Sequence, residues 1–189
     1  MCSKPNILFL VFFSLLSSVS FAQTDKAEHK INVTIPEVAL LGLVSETDKA
    51  VSMQPMMATE AGEAVVLNKI SSSRIWVNYS SIISEATPSR KVVAVIQGEL
   101  PKGLTLKVAA SAFTGSGKGK LGTPAGLVTL SNQPTDVIVD IGSCYTGKGI
   151  NNGHYLTYQL EKEDDEKAYA MLSAQNTAVN VVYTLTDYR

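Results

Sequence analysis

The residues best equipped for chemistry gather around glycine. Ser111-Ala112-Phe113-Thr114-Gly115-Ser116-Gly117 is answered 32 positions later by Ser143-Cys144-Tyr145-Thr146-Gly147-Lys148-Gly149. Each copy ends an apolar run with an aromatic and opens a glycine-rich loop. If the two loops meet, Phe113, Tyr145 or Tyr155 could stack on a sugar ring while Asn151 and Asn152 bond its hydroxyls. The opposing expectation is that the aromatics turn inward and the asparagines only serve the turn, where they tolerate positive φ.

Other chemistries find little support. Gly117-Lys118-Gly119-Lys120-Leu121-Gly122 fits G-x-G-x-x-G, but a dinucleotide site needs a helix immediately after it. Thr123, Pro124 and a strand-like run follow instead, so the segment reads as a surface loop. His29 and His154 are far apart and lack a cysteine partner, whereas zinc needs three or four ligands. Glu161, Glu163, Asp164, Asp165 and Glu166 lack the spaced, glycine-centred loop that wraps calcium. No serine sits in a strand–elbow–helix context and no nucleophile–histidine–carboxylate set can be named. The expectation is a non-enzyme with no catalytic residue, metal or cofactor. Asn32-Val33-Thr34 and Asn78-Tyr79-Ser80 fit the glycosylation acceptor pattern, which matters only in a eukaryotic secretory route.

These residues need a frame, and its boundaries are legible. Lys4, the apolar run Ile7 to Leu16 and Ser20-Phe21-Ala22 form the pattern of a secretory signal peptide over residues 1–22, cleaved before Gln23. Removing it leaves 167 residues with 15 basic and 17 acidic side chains. That is enough for one domain with its own core, and no basic field recommends nucleic acid as a partner. No later apolar run is long enough for a membrane helix. An extracytoplasmic location follows: periplasm, cell surface or medium. Cys2 leaves with the signal, so Cys144 is alone, either as a buried inert thiol or in a bridge to another chain. Gln23 to Lys30 reads as a flexible mature N-terminus and residues 31–189 as a single domain.

Within that domain period-two alternation dominates. Ile31 to Ile35, Val38 to Val44, Ala64 to Ile70, Arg74 to Ser80, Lys91 to Ile96, Leu104 to Ala110, Gly126 to Leu130, Val137 to Ile141, Leu156 to Leu160 and Val179 to Leu185 are the strand candidates. Ser45 to Glu63 reads as a loop or weak hairpin, and Glu161 to Lys167 as a charged connection with at most one helical turn up to Leu172. Tyr169 is a candidate corner tyrosine. Trp76 lies on the polar side of its strand, Ile75, Val77 and Tyr79 on the other; core anchor is the favoured role for the tryptophan. The predicted fold class is all-β: an antiparallel two-sheet sandwich, immunoglobulin-like, of eight or nine strands. Continuing the alternation from Val137 would put Tyr145 inside and Cys144 outside. For the second copy to match the first, a bulge beginning at Gly142 must reset the strand.

The signal peptide, the strand-rich polar mature chain, the alternating run Val179 to Thr186 and the penultimate Tyr188 resemble exported immunoglobulin-like bacterial surface proteins, including pilins. That resemblance implies a structural or interaction protein, of a fimbrial kind, that assembles through strand edges or loops with itself or a protein partner. The alternative expectation is a carbohydrate-binding module that takes a glycan on the glycine-rich end loops.

Overall fold

Alternation in the sequence becomes antiparallel pairing in space. The computed structural model describes residues 26–66, 69–163 and 167–188. The expected signal peptide and the acidic residues 164–166 lie outside the described residues. Nine strands are found among the described residues: β1 Val38–Ser45, β2 Lys69–Ile82, β3 Arg90–Gln97, β4 Leu104–Ala110, β5 Lys118–Pro124, β6 Leu127–Thr129, β7 Thr135–Tyr145, β8 His154–Lys162 and β9 Asn180–Asp187. The helical content described is one 3-10 turn, Tyr169–Met171. The chain divides into two units, Met1–Thr34 and Ile35–Arg189. The fold class is therefore all-β and antiparallel.

The hydrogen-bonded order is β6-β4-β8-β2-β7-β3-β9, with β1 on β2 and β5 on β7. The 14-residue β2 is the shared element. Along one edge, Ile75–Ile82 pairs with β1. Along the other, β2 pairs first with β8 and then, at Ser80 and Ser81, with β7. A register shift between Ser72 and Trp76, with Arg74 at φ 52°, marks a bulge in β2. Strands far apart in the order nevertheless touch. The hydroxyls of Tyr158 on β8 and Tyr183 on β9 are 2.8 Å apart, and Ile96 N–H on β3 donates to Ser131 O just past β6 at 2.8 Å.

One apolar cluster gathers Ile75, Val77 and Tyr79 from β2, Val92, Ala94 and Ile96 from β3, Leu106 and Val108 from β4, Ile138 and Ile141 from β7, and Leu156 from β8. Burying each large aliphatic among them contributes about 1.5–3 kcal/mol. The face of β2 that goes inside is thus the Ile75–Val77–Tyr79 face. Trp76 is half-buried on the opposite face, edge-on to Tyr155 with ring centroids 5.2 Å apart, so the core role expected for it is not taken.

Three expected elements differ. Ile31–Ile35 alternates but forms no strand and lies exposed. Of Ala64–Ile70, only the end enters β2, while Val66 makes an isolated bridge to Met56. The glycine-lysine segment expected as a surface loop is β5, because Gly117, Gly119 and Gly122 bring its backbone flush against β7. A Cβ on Gly119 would stand 2.2 Å from Ser143 O. In β7 the pairing with β3 slips across Val139–Asp140, where Asp140 has φ 59°. The bulge required for the second copy is also present where it was expected: between Ile141 and Cys144 the pairing with β5 passes over one extra β7 residue, at Gly142–Ser143. It turns Cys144 inward and leaves Tyr145 outside. Tyr169 is no local corner: it is exposed, and its hydroxyl accepts from the distant Val65 N–H at 3.2 Å.

A buried arginine ties four strands. Arg90, at 4% exposure, donates from Nε to Asp187 Oδ1 at 3.2 Å and from Nη2 to Glu37 Oε2 at 2.9 Å. Its Nη1 donates to the carbonyl of Val38, to Ser81 Oγ at 3.2 Å and to Ile82 O at 3.1 Å. The start of β1, the end of β2, the start of β3 and the end of β9 meet on this one guanidinium.

Candidate functional site

The two glycine-rich loops do meet. Thr114 and Gly153 exchange backbone hydrogen bonds of 2.9 and 2.8 Å. Gly153 can come this close only because it has no side chain: a Cβ would stand 2.0 Å from Val77 O, and its φ is +87°. Asn152 is the hub. Its Oδ1 accepts from Ser116 N–H at 3.2 Å and Ser116 Oγ at 3.4 Å, and its Nδ2 donates to Lys148 O and Ile150 O, each at 3.1 Å. Two acceptor and two donor positions are the full capacity of an amide, so this side chain is engaged within the loops. Asn78 on β2 completes the clasp, donating to Asn152 O and accepting from Gly149 N–H at 3.1 Å. That amide, half of a glycosylation pattern in the sequence, is likewise engaged.

Asn151 is exposed at φ 59° and forms the turn. Phe113 is half-buried, its ring edge-on to His154 with centroids 6.1 Å apart. Tyr145 is 50% exposed and stands in register with Ser80 on β2. Tyr155 is half-buried in register with Trp76, and its hydroxyl accepts from Arg74 N–H at 3.1 Å. In-register neighbours share a face, so Tyr145 and Tyr155 flank one outer strip of β2, four β2 positions or about 13 Å apart. The loop from Thr146 to Gly153 lies between them. The structure thus brings together Phe113, Asn152 and the Asn151 turn, and sets the two tyrosines on either side.

Beside Tyr145 is an open apolar depression of about 370 Å³, lined by Val38, Ile82, Lys118, Gly119, Ser143 and Cys144, among others. Cys144 is buried, and burial pushes its thiol pKa up to about 11. Among the described residues, no three His, Cys, Asp or Glu side chains converge as a metal site would require, and no helix is long and apolar enough to cross a membrane.

Two residues at this end have structural roles that the sequence did not show. Thr146 is fully buried; its Oγ1 accepts from Tyr79 N–H at 3.0 Å while its own N–H donates to Tyr79 O at 3.0 Å. It is a strand pairing continued by a side chain. His154, also fully buried, stacks on Tyr79 with centroids 5.7 Å apart. Asn152-Gly153-His154, a turn followed by a polar residue opening an apolar run, was the available signal for it. No family model, curated protein or solved structure matches the chain.

Proposed function

We propose that the protein is a non-enzymatic exported subunit that assembles by strand addition, built as an immunoglobulin-like sandwich whose two layers share β2. Support for the layered reading comes from β2 exchanging β8 for β7 along one edge and from the Tyr158–Tyr183 bond, which joins strands separated by three others in the pairing order. One observation carries the assembly reading. Ile31, Val33 and Ile35, at alternate positions, are 73%, 80% and 74% exposed in a segment that belongs to no strand. An extended segment with one apolar face is what an open sheet edge accepts. β9, which among the described residues pairs only with β3, offers such an edge. The segment of one copy, or of a protein partner, adds its backbone to the edge and lays its apolar face on the acceptor.

Deleting Gln23–Ile35 leaves β1 and the Arg90 cluster intact. The expected outcome is loss of oligomers on a sizing column with an unchanged unfolding midpoint. Unchanged elution would overturn the reading.

A second reading is favoured by Tyr145 and Tyr155 flanking one strip of β2. A glycan lying along that strip would stack on the tyrosines and bond Asn151, the one loop asparagine whose amide is not engaged by Ser116, Lys148 or Ile150. A glycan array with no hit discards it.

A further inference from the structure

The chain Ser111 O, His154, Tyr79, Leu121 O is one proton short. His154 Nδ1 lies 2.8 Å from Ser111 O, and Nε2 lies 2.8 Å from the Tyr79 hydroxyl. The same hydroxyl contacts Leu121 O. A backbone carbonyl only accepts, so Nδ1 carries a proton toward Ser111. The phenol has a single hydrogen and two acceptors, Leu121 O and Nε2. With a neutral imidazole one of these contacts has no proton in it. With an imidazolium all three are filled: Nδ1–H to Ser111 O, Nε2–H to Tyr79 Oη, and Oη–H to Leu121 O.

We propose that Tyr79 and His154 form a proton-tolerant clasp: acid adds one proton at Nε2 without expelling the ring, and the three filled bonds keep both glycine-rich loops tied to β2 and β5. The placement fits that role. Ser111 opens the loop after β4, His154 closes the loop after β7, and Leu121 belongs to β5. The ring is fully buried between Tyr79 and Phe113, so it cannot trade one partner for water. The groups facing it are few. β2 presents the Tyr79 phenol, which burial and the adjacent Cys144 of β7 keep protonated. The loop after β4 presents the uncharged Phe113 ring and Ser111 O; β5 presents Leu121 O. Burial holds the imidazole below its ordinary value of 6.5, while the Ser111 and Leu121 carbonyls pull the other way. The unfolded chain therefore takes up its proton first. The stability His154 contributes is full above about pH 6.5 and declines as the pH falls toward the folded value. Protonation in place sets a floor to that decline.

The test is a nitrogen-15 NMR titration of the ring in the full chain and in Tyr79→Phe. If Oη accepts from Nε2–H, Tyr79→Phe removes the acceptor and weakens the proton affinity of His154 at least about tenfold. If the phenol instead donates to Nε2, the substitution strengthens that affinity; a strengthened or unchanged affinity overturns the proposal. Should Tyr79→Phe fail to fold, the unsubstituted protein decides. An Nε2 proton that appears in acid, exchanges slowly and shows a cross-peak to the Tyr79 ring supports the clasp. A ring that titrates with rapid exchange as the loop signals collapse refutes it.

Discussion

Replacing Arg90 should be among the most damaging single changes in the chain, and the structure says how damaging. Of its five bonds, two reach Glu37 and Asp187, whose side chains are 45% and 47% exposed and which water would re-solvate. Such pairs contribute about 0–1 kcal/mol each. The other three reach Ser81 Oγ and the carbonyls of Val38 and Ile82, around a guanidinium whose own side chain is only 5% exposed. A buried acceptor stripped of its donor costs about 1–3 kcal/mol. Adding the void left by the stem, Arg90→Ala should cost about 3–5 kcal/mol, a large share of the 5–15 kcal/mol that holds a domain folded. Arg90→Met restores the stem without the fork and should still lose about 2–4 kcal/mol. Glu37→Ala and Asp187→Ala should each stay below about 1 kcal/mol. Urea unfolding of the four variants measures all of this. If Arg90→Met matches the natural protein, or Glu37→Ala matches Arg90→Ala, the carbonyls do not need the guanidinium and the reasoning fails.

Cys144, with its thiol pushed up to about 11, should react with a thiol reagent at pH 8 at least about 100-fold more slowly in the folded protein than in urea; equal rates would contradict its burial. Gly153→Ala and Gly149→Ala both place a side chain at positive φ, but only the first meets backbone, at 2.0 Å; nothing lies within 4 Å of the second. Gly149→Ala should cost about 1 kcal/mol and Gly153→Ala at least about 3, read as unfolding midpoints, and equal costs would refute the close approach.

The parts of the fold that alternation could reveal are the parts whose residues obey it. Leu104 to Ala110 and Val179 to Leu185 keep period two apart from Ala109 and Val182, and they became β4 and most of β9. β5 was missed because glycine carries no side chain to alternate; Gly117, Gly119 and Gly122 specify proximity to β7, which only the partner strand reveals. Ile31–Ile35 failed in the opposite sense. Its pattern is strong, yet a strand needs a neighbour, and a pattern records the demand without supplying one. At the loop end, the meeting of Thr114 with Gly153 could be posed from the repeat as a condition. The engagement of Asn152 could not be read there, because all four of its bonds run to atoms of the loops themselves.

The polar residues buried in this chain share a location that alternation cannot encode. Among the described residues they are Ser73, Ser81, Arg90, Thr146 and His154, and each stands at a bulge or within a residue of a strand end. Ser73 sits in the β2 bulge, donating from Oγ to Leu156 O at 2.9 Å and accepting from Ile75 N–H at 3.2 Å. Ser81, next to last in β2, accepts from Arg90, the first residue of β3, at 3.2 Å. Thr146 extends β7 past its last paired residue, and His154 joins two loops to β2 and β5. Among the described residues, none of the buried side-chain polar atoms is left without a partner. A backbone donor or acceptor that loses its strand neighbour inside the protein must find another, at a penalty of about 1–3 kcal/mol if it does not. With Cys144 a free thiol rather than half of a disulfide, these side chains are what holds the joints between ladders. It follows that the chain is most sensitive to substitution at its ladder breaks. The segment Ile31–Ile35, exposed and outside every described strand, holds no such joint.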